Sequence, residues 1–290
     1  MTINYQTLKH REFAPVHHTY SQLDTMRYAL AIGLGHDPLD LAQLNFVYEP
    51  RLQAFPTMAV VLGYAGFWMQ SADSGIDWVK IVHGEERVRW HAPISSAATV
   101  IGTHKISHIV DKGTGRGALV VIEREVRDAS SGARLATIEH VTFCRGDGGY
   151  ARSPQETDVG LVPLTATPER TPDQICDLPT MKQAALLYRL SADMNPLHAD
   201  PEVARAAGFP APILHGLASF GNVAHAVLRT YGDYRAERLR AFSARFSAPV
   251  YPGETIRTEM WRDGACVRFR ARVVERDVIV LSHGMAEIAA

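Results

Sequence analysis

The 290-residue sequence predicts an α+β protein in which an antiparallel sheet wraps around a central helix, with this unit present twice. Two observations predict this class. The chain resembles itself at a nearly constant spacing, and in its second half a long apolar helix precedes several strand-like segments. A hydrophobic content of 46 % with 21 % charged residues is typical of a globular protein, so each half can form its own core.

An internal repeat relates the two halves of the chain. A motif in which an aromatic residue and Ala-Pro lead into an alternating run starts at Trp90 and again at Phe246, 156 positions later. Upstream, a Tyr-x-Leu motif followed by a Pro-Leu turn starts at Tyr28 and again at Tyr188. Because the two similarities occur in the same order, they predict a duplicated domain.

The repeat sets the predicted domain boundaries. We expect an N-terminal repeat at residues 1–150, a linker at 151–180 and a C-terminal repeat at 181–290. The glycine-containing segment 146–149 ends the first half. The stretch after it is rich in proline, threonine and acidic residues, which is typical of a linker.

Each repeat is predicted to contain a helical segment, a Pro-Leu loop, a long apolar helix and then antiparallel strands. The clearest helix runs from His215 to about Tyr231, and because it is apolar around most of its circumference it must be buried. Alternating patterns predict strands at residues 118–127, 136–144, 239–246, 255–261, 267–275 and 278–286.

The segment from Tyr188 to His198 is the strongest candidate for a functional site. It places a carboxylate, a carboxamide and an imidazole (Asp193, Asn195 and His198) within six positions, on a loop stiffened by Pro196. Holding such groups beside apolar sequence costs free energy, and an aspartate with a histidine can deprotonate a water or return a proton to carbon. The alternative is an ordinary turn capped by Asp193, with His198 on the surface.

The first repeat lacks this acid–base pair, because Asp40 and the neighbourhood of Gly33 occupy the corresponding positions. We therefore expect the N-terminal repeat to hold substrate and to be degenerate for catalysis. Gly216, at the start of the apolar helix, has an N–H with no intrahelical acceptor at the positive end of the helix dipole, where a carbonyl oxygen could be polarised. A glycine selected only for close packing is the alternative.

Composition excludes several classes of function. A formal net charge of −1 provides no field that would attract nucleic acid or an anionic membrane. Three widely spaced cysteines and the lack of a signal-peptide pattern predict a protein of a reducing, cytoplasmic compartment. The longest apolar run, residues 58–69, is too short to span a bilayer. The sequence contains no metal-ligand motif and no nucleotide-binding glycine loop, so we expect no metal.

The motifs described above resemble those of the MaoC-like, type-2 enoyl-CoA hydratases, including the hydratase domain of peroxisomal multifunctional enzymes. The family signature, an aromatic residue followed by S-G-D-x-N-P-L-H, is present from Tyr188 to His198 with Ala192 in place of the glycine. The resemblance extends over nearly the whole chain, through Tyr48-Glu49, Pro56-Thr57, Val82 to Glu85, Asp111 to Gly113, Pro212 to Gly216, Ala244 to Phe246, Pro249 to Gly253 and Thr258 to Trp261.

This resemblance implies a double hot-dog fold and reversible hydration of trans-2-enoyl-CoA to (3R)-3-hydroxyacyl-CoA. CoA would be part of the substrate, with no separate cofactor, and the chain would form a homodimer. It implies that Asp193 and His198 are the catalytic pair, assisted by Asn195, and that the Gly216 N–H holds the thioester oxygen. Contacts with the CoA thioester are implied for four further residues, His83, Gly84, Lys112 and Phe246. The methyl group of Ala192 would alter substrate preference.

Two other functions remain open from the sequence. One is a non-catalytic protein that binds acyl thioesters on the same duplicated fold. The other is a dehydratase for a specialised acyl-CoA, such as a steroid side-chain or polyketide intermediate. Neither alternative requires nucleic acid or a membrane as a partner.

Overall fold

One antiparallel sheet of ten strands organises the fold. The structure, a computed structural model, describes residues 3–191 and 193–289. The strands, in chain order, are β1 (Val16–Tyr20), β2 (Ile81–Trp90), β3 (Ala98–Asp111), β4 (Ala118–Asp128), β5 (Arg134–Cys144), β6 (Gln174–Pro179), β7 (Leu239–Phe246), β8 (Thr255–Asp263), β9 (Cys266–Val273) and β10 (Val278–Ile288).

The two predicted repeats share this sheet. Its strand order is β1-β3-β4-β5-β2-β7-β10-β9-β8-β6, and neighbouring strands are antiparallel. β2 pairs with β7 at the centre, where Glu86 lies opposite Ala244. The strands of the first half therefore continue directly into those of the second half, and side chains from both halves can meet at this central pair.

The helices lie on the sheet and in the connections between strands. They are α1 (Tyr5–Lys9), α2 (Gln22–Ala31), α3 (Leu41–Leu44), α4 (Ala184–Tyr188), α5 (Pro201–Ala206) and α6 (Gly216–Tyr231). Short 3-10 helices occupy Glu49–Arg51, Pro56–Val61, Trp68–Gln70, Ala72–Ser74, Trp78–Lys80, Pro154–Glu156, Pro196–His198 and Ala236–Arg238.

The long apolar helix predicted for the second half is confirmed as α6. It begins one residue after His215 and ends at Tyr231, and its residues from Ala218 to Leu228 are all buried. Gly221 permits close packing on α6, because a methyl group added there would lie 2.6 Å from the Ile32 side chain. The predicted strands of both halves are also present, with ends within about two residues of the prediction.

The long apolar helix predicted for the first half is wrong. Among the described residues, the apolar run 58–69 forms the 3-10 turn Pro56–Val61, all of it buried, and the start of another, Trp68–Gln70. Pro56 starts the turn, and Gly63, at a φ of +59°, redirects the chain where its backbone packs against Gly102. The first part of the run is apolar because it is buried, not because it forms a long helix. This short turn packs with core side chains of the N-terminal half of the sheet, such as Val88 and Val126.

The end of the predicted linker also belongs to the fold. Residues of β6, which lie inside the segment 151–180, form the edge of the sheet next to β8, with Leu178 opposite Ile256. Leu178 is buried, so this part of the linker contributes to the core. No described helix is both long enough and apolar enough to cross a membrane.

Candidate active site

The candidate loop at Asp193 is organised by two consecutive hydrogen-bonded turns. Asp193 Oδ1 accepts a hydrogen bond from the Asn195 N–H at 3.0 Å, and Asn195 Oδ1 accepts one from the Leu197 N–H at 3.0 Å. Pro196 then begins a 3-10 turn that ends at His198. Turn capping by Asp193 and Asn195 is thus confirmed, and the same turns hold the carboxylate and the imidazole in fixed positions. The surface position that this alternative gave to His198 is wrong, because His198 is only 8 % exposed.

His198 is buried and has a defined tautomer. Its Nδ1 lies 2.8 Å from the carbonyl oxygen of Ile213, which can only accept, so Nδ1 donates and Nε2 is left without a proton. Nε2 lies 4.0 Å from Asp193 Oδ2. Burial lowers the pKa of His198, although the Ile213 carbonyl and the Asp193 charge act in the opposite direction. The ring is therefore neutral at neutral pH and presents an acceptor next to a carboxylate.

His215 supports this arrangement and was not among the predicted site residues. Its ring stacks on that of His198, with a centroid distance of 3.7 Å and an interplanar angle of 24°. Its Nε2 donates to the backbone carbonyl of Asp193 at 3.1 Å, which ties the loop to the entrance of α6. Burial, and then the charge of His198, lowers the pKa of His215 to about 4. The only sequence signal was its position directly before Gly216.

Gly216 is the first residue of α6, and its N–H donates to no acceptor among the described residues. The positive end of the helix dipole lies at this position. A methyl group at Gly216 would lie 3.1 Å from the Phe246 ring, so glycine leaves the amide accessible beside that ring. Because His215 precedes Gly216 and stacks on His198, the acid–base pair and the free amide are neighbours.

Residues of the first half reach the same place through Phe246. The His83 and Phe246 rings have a centroid distance of 4.2 Å, and His83 lies where β2 runs beside β7. Gly84 forms an irregularity in the pairing of β2 with β5, and a methyl group there would lie 3.2 Å from the Val141 carbonyl oxygen. The structure therefore brings His83 to the Phe246 ring, which lies beside Gly216, and Gly84 follows His83 directly in the chain.

Lys112 has no hydrogen bond, ion pair or ring contact with this group among the residues that the structure describes. It follows β3, and its Nζ lies 5.9 Å from the centroid of the Phe143 ring. Phe143 pairs with Val82, the residue before His83, so a cation flanks the strand that carries His83. Ala192, the residue that departs from the family signature, lies outside the described residues.

A buried carboxylate that sequence analysis missed holds His83. Glu86 is 1 % exposed, and its Oε2 accepts from His83 Nε2 and from His140 Nδ1, each at 2.9 Å. These two histidines lower the pKa of Glu86 to about 2 against the opposing effect of its burial, which is the largest single influence. Burial, and then the charge of His140, lowers the pKa of His83 to about 4. Glu86 is thus an anion that orients both rings.

Two groups of side chains have the geometry to hold a metal ion. One contains His83, Glu86 and His140, and the other contains Asp193, His198 and His215, with ligand atoms within 4.8 Å of one another in each. In the first group the nitrogens His83 Nε2 and His140 Nδ1 already hydrogen-bond to Glu86. In the second group His198 Nδ1 and His215 Nε2 hydrogen-bond to backbone carbonyls, whereas His198 Nε2 and His215 Nδ1 have no hydrogen-bond partner among the described residues.

Two family models match the chain in tandem. The MFE-2 hydratase 2 N-terminal domain matches residues 18–146, and the MaoC like domain matches residues 163–283. Enoyl-CoA hydratase 2, peroxisomal, of Arabidopsis thaliana is 34 % identical over 282 residues, which cover 91 % of this chain and 89 % of that protein.

Solved structures agree with these matches. The crystal structure of a MaoC-like dehydratase from Phytophthora capsici is 31 % identical, with a TM-score of 0.85 and coverage of 99 % of both chains. A Mycobacterium tuberculosis protein described as having a double hotdog fold is 12 % identical, with a TM-score of 0.60 over 99 % of this chain and 98 % of that one, and supports the fold alone. The predicted double hot-dog fold is therefore confirmed, and the chain belongs to the MaoC-like family of type-2 enoyl-CoA hydratases.

Proposed function

We propose that this protein is an R-specific enoyl-CoA hydratase that reversibly converts trans-2-enoyl-CoA to (3R)-3-hydroxyacyl-CoA. One observation carries the proposal: the proton-accepting Nε2 of His198 lies 4.0 Å from the Asp193 carboxylate, beside the unpartnered N–H of Gly216. The similarity to enoyl-CoA hydratase 2 supports the substrate class and the stereochemistry.

The geometry supports a specific path for water addition. A water hydrogen-bonded to both His198 Nε2 and Asp193 Oδ2 attacks C3 of the enoyl group, and Nε2 takes one of its protons. The electrons of the C2=C3 double bond move to the thioester oxygen, whose developing charge is stabilised by the Gly216 N–H and the helix dipole. The imidazolium then returns the proton to C2, so that one water is added in all.

The remaining predicted residues have supporting roles in this proposal. Asn195 helps to orient the water, since its Oδ1 is engaged by Leu197 while its Nδ2 has no acceptor among the described residues. His83, Gly84 and Lys112 from the first half, together with Phe246 from the second half, contact the CoA thioester. All of these groups belong to the protein, so the proposed reaction needs no cofactor.

The specialised dehydratase considered above uses the same site in the reverse direction. The non-catalytic binding protein differs, because it would bind acyl-CoA without turnover. The homodimer and the cytoplasmic location stay predictions, and the Arabidopsis relative is named as peroxisomal.

A hydration assay tests the proposal. Loss of absorbance of the conjugated enoyl thioester would be followed over a range of acyl chains, with chiral analysis of the product. We expect turnover by the wild type and its loss in Asp193→Asn and His198→Gln. Asp37→Asn is the matched control, because Asp37 caps a similar turn in the first half, accepting from the Leu39 N–H at 2.9 Å. Tight acyl-CoA binding by the wild type without hydration of any chain would establish the binding protein instead.

A further inference from the structure

A buried arginine lies on the inner face of the N-terminal half of the sheet. Arg124, on β4, is 6 % exposed and lies among the core side chains of β4 and β5. Its Nη2 donates to the Val60 carbonyl oxygen at 2.6 Å, while its Nε is buried without an acceptor among the described residues. No described carboxylate lies within ion-pair distance of it. Buried arginines are nearly always paired with an acid, so an unpaired one requires a reason.

The residue opposite Arg124 is also unpartnered. His104 on β3 lies across from Arg124 in the sheet, and both of its ring nitrogens are buried without a partner among the described residues. Burial, and then the charge of Arg124, lowers the pKa of His104 to about 4, so His104 stays neutral. Glu86 is the opposite charge that acts most strongly on Arg124, but His83 and His140 already share its Oε2. Arg124 therefore has more N–H donors than the neighbouring side chains have free acceptors.

Arg124 lies next to a cavity that borders the candidate loop: the segment whose Val60 carbonyl it binds also lines that cavity through Val61, and Ser191 of the candidate loop lines it as well. Val60 belongs to the 3-10 turn that covers the sheet where the second half has its long helix. Arg124 Cζ lies 5.8 Å from the centroid of the Tyr64 ring. The Tyr64 ring is itself 43 % exposed, so it lies between Arg124 and solvent.

We propose that Arg124 binds a carboxylate at the far end of the acyl chain, so that the preferred substrates are enoyl-CoA thioesters whose acyl group ends in a carboxylate. This inference rests on the proposed function and narrows its substrate class. A planar guanidinium binds a carboxylate through two parallel hydrogen bonds, which are strong where water is excluded. A purely apolar acyl chain would leave the buried cation unpaired, and a site selects against ligands that leave a buried polar group unpaired.

Matched substrates test the inference. Pairs of enoyl-CoA thioesters of equal chain length, ending in a carboxylate or in a methyl group, are compared as substrates of the wild type and of Arg124→Met. We expect the wild-type kcat/KM to favour the carboxylate by about tenfold or more, the size expected for a charge-assisted hydrogen bond. Arg124→Met should lose this preference while it still hydrates the methyl-ended substrate. Arg127→Met, on the same strand with a side chain 46 % exposed, should retain it.

A binding experiment that needs no turnover separates this inference from the proposed function. Asp193→Asn, with and without Arg124→Met or Arg124→Lys, is titrated with saturated acyl-CoAs that end in a carboxylate or a methyl group. If the wild type hydrates no enoyl-CoA, the proposed function fails. The inference is still supported if the carboxylate-ended acyl-CoA binds more tightly than the methyl-ended one and if substitution of Arg124 removes this difference. Equal kcat/KM for both substrates of a pair, or an equal loss for both in Arg124→Met, would overturn it. Binding of a free dicarboxylate as tightly as the thioester would also overturn it.

Discussion

His198 Nδ1 lies 2.8 Å from the carbonyl oxygen of Ile213, and this contact fixes which ring nitrogen faces Asp193. Because the carbonyl can only accept, Nδ1 keeps the proton and Nε2 remains an acceptor. Ile213 lies just before the start of α6, so the segment that leads to the Gly216 amide also orients the proposed base. A single hydrogen bond therefore couples the two parts of the site.

Activity should fall as the pH is lowered, because protonation of His198 removes the acceptor. Burial lowers the pKa of His198 from its ordinary value of 6.5. We expect kcat/KM to be at its full value at neutral pH and to fall on the acid side, with the midpoint of the fall below pH 6.5. A midpoint above 6.5 would contradict the assignment of His198 as the neutral acceptor.

Stability should also decrease on the acid side. His215 has a pKa of about 4 in the folded protein and 6.5 when unfolded, so the unfolded chain binds more protons between these values. Its contribution is complete above pH 6.5 and is lost as the pH falls toward 4. Denaturant titrations at several pH values should show a flatter pH dependence for His215→Gln than for the wild type. The same slope in both proteins would exclude His215 as a source of the effect.

Glu86→Gln should weaken the proposed contact of His83 with the CoA thioester. The amide offers one oxygen acceptor and places an N–H₂ group where two imidazoles donate, so the orientation of His83 is lost. We expect KM to rise more than kcat falls, with a loss of about 1–3 kcal/mol in the free energy of unfolding. Glu123→Gln, which removes an ion pair with the exposed Lys105, is the control. A fall in kcat alone would argue against a role for Glu86 through His83.

Gly216→Ala should affect mainly activity, whereas Gly221→Ala should affect mainly stability. A methyl group at Gly216 meets the Phe246 ring at 3.1 Å and crowds the amide, so kcat should fall while the melting temperature changes little. At Gly221 a methyl group would lie 2.6 Å from Ile32 in the core, which should cost about 1–3 kcal/mol of stability. Kinetics and thermal unfolding of both variants test the contrast. Wild-type turnover by Gly216→Ala would contradict the proposed role of its N–H.

The local pattern of apolar and polar residues was sufficient to predict the long helix and the strands of the second half. The helix Gly216–Tyr231 and the strands after it have distinct periodicities, and their ends match the prediction closely. The same reasoning failed at residues 58–69, because an apolar run reports burial and not the type of backbone that is buried. Gly63 and Gly66, both with positive φ, were the local signals against a long helix.

The supporting residues of the site depend on sheet register, which the sequence alone does not specify. Glu86 and His140 meet because β2 pairs with β5, and they are 54 positions apart in the chain. His104 and Arg124 face each other only through the pairing of β3 with β4. By contrast, Asp193, Asn195 and His198 lie on one short loop, so their spacing and the family resemblance were enough to nominate them.

The central claim, that Asp193 and His198 act together on one water, is tested most directly by kcat for Asp193→Asn, His198→Gln and the double variant. Each single change should reduce kcat by about 10²–10⁴-fold. Residues that act as a unit are strongly non-additive, so the account predicts that the double variant is about as slow as the slower single variant. Reductions that multiply in the double variant would show that the two residues act independently and would contradict it.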